Sequence, residues 1–464
     1  MLYKSTRNTT VKKTFCEILL EGLAPDGGLY VPDRYPKISK EQLQAWSSLS
    51  YPELAFEVCS LFIGDDIPSD DLKAIINKTY TQDAFGTAEI VPIRHLVDDI
   101  HVMALSNGPS LAFKDMAMQL LGNLMSYELD RRGETLLIVG ASSGDTVSAA
   151  EEAMRGKANI KVLMLTPKHG MSPFQKAQAG SILDDNIYNL SIEGRFDDCQ
   201  DLVKEINKDA AFKAKHTIGA VNSINWGRIM AQTVYHIQAY LTSGAPQIDI
   251  AVPSGNFGNV LAAHVAKEMG VPIRTLIVAT NENVVLDQFF KTGIYEQHDV
   301  QVTSAPSMDI SKASNLERFL FDLLGRGDTQ LTAIMEEFES KKKIDLSAFL
   351  NDIKTRYGFI SESSTHQERA RVIKTIYEKC QDIIDPHTAA SVKVALDCAK
   401  NDGVPIICME TAKPSKFESA VEEAIGFVPD RPAGFQDLES REQRFYDCGS
   451  SVDDLKRFIE SHVR

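Results

Sequence analysis

An α/β fold built on parallel sheets is what this 464-residue sequence predicts, and three observations lead to it. Five short runs starting at Thr135, Ile160, Ile248, Ile273 and Val404 are almost continuously apolar: "TLLIVGASSGDTVSAAEEAM", "IKVLMLTP", "IDIAVPSGNFGNVLAAHVAKEMG", "IRTLIVATN" and "VPIICMETAKPSKF". They end in Gly, Ser or Thr, and helical patterns follow. Near-continuous apolar strands that alternate with helices belong to parallel sheets covered on both faces.

Taken in order, the apolar positions from Phe15 to Leu23 recur at helical spacing, and "APDGGLYVP" supplies a turn and a short strand. Helical patterns also cover Lys40 to Ile63 and Asp70 to Tyr80, so residues 1–95 form a helix-rich N-terminal portion. A smaller α/β domain is expected over 96–235 and a second over 236–464. Within the latter, the charged stretch 328–364 ("TAIMEEFESKKKIDLSAFLNDIKTRY") reads as a peripheral helical insertion more than as sheet.

A chain this long exceeds one ordinary core, and 43% hydrophobic with 24% charged residues is a globular composition. The net charge of -15, with no Lys/Arg-rich block, argues against a nucleic-acid partner. Seven cysteines form no C-x-x-C pair and no metal-ligand spacing with the ten histidines, so no metal is expected and the thiols read as reduced. The opening "MLYKSTRNTTVKKTF" is charged without an apolar run behind it, and no run approaches the roughly 20 residues of a bilayer span. A cytoplasmic protein without a membrane partner is the expectation.

Ligands of open α/β sheets bind beyond the carboxyl ends of strands, where Gly-rich turns aim backbone N–H groups at an anion. The turn from Pro253 through Ser254, Gly255, Asn256, Phe257, Gly258 and Asn259 suits a phosphate: its glycines permit close approach, and a helix starting near Asn259 adds donors and dipole. It matches neither the P-loop nor the dinucleotide fingerprint. Taken alone, such a turn also serves as plain structure. The same holds for Gly140–Thr146, whose Ser142, Ser143 and Thr146 could hold a carboxylate or phosphate, or where Ser143 or Asp145 could merely cap the next helix.

Lys114 is the unusual residue. Ser110 can cap a helix that buries Leu111, Ala117, Leu120, Leu121 and Leu124, which places Lys114 in its first turns. There the helix dipole and desolvation both oppose the ammonium charge, which suits an amine that must attack an aldehyde. A lysine stem covering apolar neighbours at a helix surface is the plain alternative.

In chain order, "LEGLAPDGGLYVP", "GPSLAFKD", "SSGDT", "NSINWGRI", "PSGNFGN", "DPHTA" and "ETAKPSKF" together resemble the long-chain threonine synthases. The resemblance implies the fold-type II pyridoxal 5'-phosphate (PLP) architecture, similar to the tryptophan synthase β subunit: two parallel-sheet α/β domains plus the helix-rich N-terminal portion. It implies that Lys114 joins the cofactor aldehyde and moves protons, and that Gly255, Asn256, Phe257, Gly258 and Asn259 hold the cofactor phosphate. Asp145 lies by the ring oxygen and Thr411 by the pyridine nitrogen. Ser142, Ser143, Thr146, Asn222 and Arg228 bind the carboxylate and phosphate of O-phospho-L-homoserine, and the chain acts as a monomer or homodimer. The sequence departs from the family pattern at Lys413, commonly histidine, and at Val147, frequently glycine. A serine/threonine dehydratase-like enzyme of the same fold, or a related binding protein without turnover, are the competing readings.

Overall fold

The computed structural model describes all residues except 143, 170, 220–222, 401 and 464. It divides into two compact units, one of Met1–Leu19, Leu23–Phe113 and Ser223–Asp430, the other of Leu20–Gly22, Lys114–Asn222 and Arg431–Arg464. This partition differs from the three consecutive segments 1–95, 96–235 and 236–464. The helix-rich N-terminal portion shares a unit with the chain after residue 222, and the last 34 residues rejoin the segment that starts at Lys114.

The larger unit is organised on a six-stranded sheet in the order Phe359–Ser363, Ile273–Thr280, Ile248–Pro253, Ile406–Glu410, Ile100–Ala104, Ile93–Val97. All neighbours are parallel except the last pair. Ile100, Val102, Ala251, Ile277 and Ile406 pack against Ala389, Val392 and Ile373 from helices Pro386–Cys398 and His366–Cys380. The apolar strands are continuous for that reason: they are interior to a layered unit.

One expectation is corrected here. The stretch 328–364 does contain helices Asp328–Lys341 and Leu350–Thr355, but it ends in Phe359–Ser363, which pairs with Ile273–Thr280 as an edge strand of the main sheet. Its apolar content is low because an edge strand is paired on one side only; Phe359 and Ser361 still point inward and are buried. The expected helices near the N-terminus are present as Phe15–Glu21, Lys40–Trp46, Tyr51–Ile63 and Ser69–Thr79, and "LYVP" contributes the strand Tyr30–Pro32.

The smaller unit holds a fully parallel five-stranded sheet, ordered Tyr446–Cys448, Ile187–Ile192, Ile160–Pro167, Leu136–Ala141, Ile218–Gly219. Leu137, Val139, Leu163 and Leu190 form its core with Leu202, Ile206, Leu455 and Ile459. Among the described residues, no helix is long and apolar enough to cross a membrane.

Glu151, on helix Thr146–Met154, is wholly buried, and burial pushes its carboxyl well above the usual range. Neighbouring Asn189 donates its Nδ2 to Ala179 O at 3.2 Å, while its Oδ1 accepts no hydrogen bond in the protein. Burial thus favours the protonated form of Glu151 inside the fold, and the Asn189 side chain opposes that shift without outweighing it. The folded state keeps this proton where the unfolded chain releases it, so stability is lost as pH rises above about 4.5. Glu151→Gln keeps a donor without a charge. At pH 8 it should be more stable by about 2 kcal/mol, an advantage that vanishes below pH 4 in urea unfolding.

Candidate active site

Lys114 is the first residue of helix Lys114–Arg132. Ser110 therefore does not cap the helix as expected, because residues 110–113 are engaged elsewhere. Leu111 adopts a left-handed φ of 58°, Ala112 bridges Ala412, and Phe113 N–H donates to Thr411 O at 2.9 Å. Lys413 N–H donates to Leu111 O at 3.1 Å, and the buried Lys416 Nζ donates to Ser110 O at 2.6 Å. The lysine loop is thus laced to the loop that follows strand Ile406–Glu410.

Within the smaller unit, Lys114 Nζ stands 3.5 Å from Asp145 Oδ2, the lysine side chain being 14% exposed and the carboxylate 2%. Asp145 occupies the N-cap position of Thr146–Met154 but makes no side-chain cap. Its Oδ1 instead accepts from Gln175 Nε2 at 3.1 Å, and Gln175 is itself tied by its N–H to the capping hydroxyl of Ser172. The helices carrying Lys114 and Asp145 meet at Gly122, where a Cβ would lie 2.5 Å from Ala153 O. The buried Asp145 carboxylate is an influence that the dipole-and-desolvation expectation for Lys114 does not include, and it favours the ammonium charge. In the same turn Ser142 Oγ accepts from Gly144 N–H at 3.2 Å, and Thr146 begins the helix. Ser143 and Asn222 lie outside the described residues.

In the larger unit, strand Ile248–Pro253 runs into the turn Gly255–Asn259 and helix Gly258–Met269. Phe257 holds a left-handed φ of 62°, anchored by ring contacts to Phe290, Phe319 and Phe359 at 5.6, 6.1 and 5.9 Å. Gly255 has no room for a side chain: a Cβ would come within 2.5 Å of Ser307 O. Ser307 is fixed in turn by its N–H, which donates to His387 Nε2 at 3.0 Å, while His387 Nδ1 bonds Asp385 at 2.8 Å.

Asn259 is buried, and its backbone and side-chain oxygens both lie 2.9 Å from His236 Nε2. Burial pushes His236 down to about 4, so the ring is a neutral Nε2–H donor. Asn259 Nδ2 and the Ser254 hydroxyl have no partner among the described residues. A left-handed turn at a helix N-terminus with unsatisfied donors suits a phosphate.

Thr411 is buried one residue beyond Ile406–Glu410. Glu410 beneath it bonds Arg94 at 2.7 Å, Lys413 at 3.0 Å and the Ser106 hydroxyl. Burial opposes its charge, but Lys413 and Arg94 outweigh that and hold the carboxyl below the usual range. Lys413 thus completes a carboxylate clamp under the Thr411 loop.

Arg228 lies in the first turn of helix Trp226–Ser243, which Asn225 caps by accepting from Gly227 N–H at 2.9 Å. Only 4% exposed, Arg228 has no carboxylate partner among the described residues, and its Nε has no acceptor. Burial pushes the guanidinium down to about 10. It is no surface salt bridge. A buried cation without a counter-charge is costly unless an anion binds it.

Family models describe three consecutive parts of the chain: "Threonine synthase N terminus" over 2–80, "Pyridoxal-phosphate dependent enzyme" over 82–344, and "Threonine synthase, C-terminal" over 388–459. Threonine synthase of Methylobacillus glycogenes is 50% identical over the whole of both chains. The chain belongs to the threonine synthase family. The threonine synthase of Corynebacterium glutamicum is 48% identical over 99% of this chain and 98% of its own. The crystal structure of PLP-bound threonine synthase from Brucella melitensis superposes with a TM-score of 0.96 at 40% identity, covering all of both chains. The threonine synthase fold is therefore the fold-type II PLP architecture, and PLP is the family's cofactor. Taken each by itself, the Gly255–Asn259 turn of the larger unit has the unsatisfied donors a phosphate needs, and Lys114 of the smaller unit has the amine an aldehyde needs.

Proposed function

We infer that this member of the threonine synthase family converts O-phospho-L-homoserine and water to L-threonine and phosphate. The observation that carries the reading is Arg228, a buried guanidinium without a counter-charge, which suits a substrate bearing a second anion beyond its carboxylate. A dehydratase acting on serine or threonine has no such anion to pair with it.

Bound PLP supplies an electron sink for charge developing beside the substrate's amino-bearing carbon. Lys114 is the residue that would hold the cofactor aldehyde, and its amine is the group that would take and return protons at the substrate's α- and β-carbons. Thr411, buried just beyond Ile406–Glu410, would offer the ring nitrogen a neutral partner. Arg228, with Ser142, Ser143, Thr146 and Asn222, holds the substrate's phosphate and carboxylate, so that binding energy from the phosphate assists the chemistry. Gly255 to Asn259 would hold the cofactor phosphate, and Asp145, fixed by Gln175, would face the ring oxygen. Seven cysteines without a disulfide support a reducing, cytoplasmic setting.

The test is product analysis with O-phospho-L-homoserine and PLP. L-threonine and phosphate in equal amounts are expected. Phosphate without threonine would mean elimination to a keto acid, and no product at all would leave a binding protein.

A further inference from the structure

Asn315 and Arg318 take no part in the roles assigned so far, yet both are completely buried. They lie at the entry to helix Leu316–Leu323, on one turn of chain. Asn315 faces two segments at once. Its backbone N–H donates to Asn256 O at 3.1 Å, and its Nδ2 donates to Asn256 O at 3.2 Å and to Ser223 O at 3.0 Å. Asn256 belongs to the cofactor-phosphate turn, and Ser223 leads through the Asn225 cap into the helix that carries Arg228 in the substrate segment.

The amide orientation is settled by its neighbour. Arg318 Nη1 donates to Asn315 Oδ1 at 2.5 Å, and because a guanidinium cannot accept, the oxygen must face it and the two N–H groups must face the carbonyls. Arg318 itself reaches two further segments: Nε donates to Tyr30 O at 2.9 Å, while Nη2 donates to Ile224 O at 2.5 Å and the guanidinium lies over Trp226 at 5.6 Å. Tyr30 lies in the "LYVP" strand near the N-terminus. All three acceptors are neutral, so the buried cation serves geometry and brings no carboxylate close to either anion-binding turn.

We propose that Asn315, held by Arg318, is a positioning residue that sets the cofactor-phosphate turn and the substrate segment in one register, coupling PLP affinity to substrate affinity. The proposal rests on the roles given above to Gly255–Asn259 and Arg228. Gly255 sits so close to Ser307 O that a Cβ would come within 2.5 Å of it, and Asn256 O is bonded by Asn315, so two neighbouring residues of the turn are each fixed from outside it. A shift at Asn315 therefore moves Asn256 and Ser223 together.

Asn315→Asp is the discriminating variant. It keeps the acceptor for Arg318, and so the fold, but replaces both N–H donors by an oxygen facing two carbonyls. Titrating apoenzyme with PLP and with pyridoxal, by absorbance, isolates the phosphate contribution. PLP affinity should fall about tenfold with pyridoxal affinity unchanged, and KM for O-phospho-L-homoserine at saturating PLP should rise about tenfold, each the size of one lost neutral hydrogen bond that leaves a buried carbonyl facing a carboxylate oxygen. Equal loss for PLP and pyridoxal, or a change in only one of the two affinities, would overturn the proposal. Asn259→Ala tests the underlying reading separately. If it leaves the preference for PLP over pyridoxal intact, the phosphate-turn assignment itself fails; if it removes the preference while Asn315→Asp does not, only the coupling fails. Should Asn315→Asp not fold, amide exchange on the wild-type protein decides. PLP binding must protect residues 223–225 together with 255–258, and protection confined to 255–258 would overturn the coupling.

Discussion

Lys114→Ala should lose the visible absorbance of bound PLP and lower turnover by roughly a thousandfold or more, about 4 kcal/mol of barrier. The residue's own setting makes the loss specific. Its loop is held by backbone bonds at Phe113, Leu111 and Ala112 and by Lys416, none of which involves the Lys114 side chain, so the variant should fold. Lys114→Arg sharpens the test: a guanidinium preserves the cation beside Asp145 but stays protonated and cannot attack an aldehyde. Both variants should be inactive when assayed for phosphate release. Activity retained in Lys114→Arg would reduce the residue to a charge partner of Asp145 and remove it as nucleophile and base.

The parts of this molecule that could be read from sequence are those whose physics is local. Strands such as Ile248–Pro253 and Ile160–Pro167 show as unbroken apolar runs because both their faces are covered, and the Gly255–Asn259 turn shows because only certain residues tolerate its backbone. The start of the Lys114 helix was misjudged because the competing partner of residues 111–113 lies some 300 positions away, at Thr411–Lys413. The same reason hid Gln175, His236, Asn315 and Arg318. Each acts on a site segment through hydrogen bonds across 23 to 94 positions, several of them to backbone carbonyls that carry no mark in the sequence. His387 had a signal in "DPHTA", but nothing local reveals that its Nε2 holds Ser307 against Gly255. The edge strand Phe359–Ser363 was hidden differently, by a charged helical stretch that masks five residues of sheet.

Arg228→Met should raise KM for O-phospho-L-homoserine and lower kcat/KM about a hundredfold or more, about 3 kcal/mol, while PLP affinity changes little. Methionine retains most of the stem volume, so the change removes charge with little loss of packing. The same substitution should make the ligand-free protein more stable, because the wild type carries a buried guanidinium with no counter-charge and an unsatisfied Nε. Those two effects have opposite signs, and their combination separates a binding role from a structural one. A structural arginine, once removed, would lower the melting temperature and leave KM where it was. Inorganic phosphate offers a further control: it should raise the melting temperature of the wild type by occupying the site, and do less for Arg228→Met. A normal KM in the variant would take Arg228 out of substrate recognition. A lowered melting temperature with a raised KM would mean that the cation already has a partner, and that the site's positive charge must come from elsewhere.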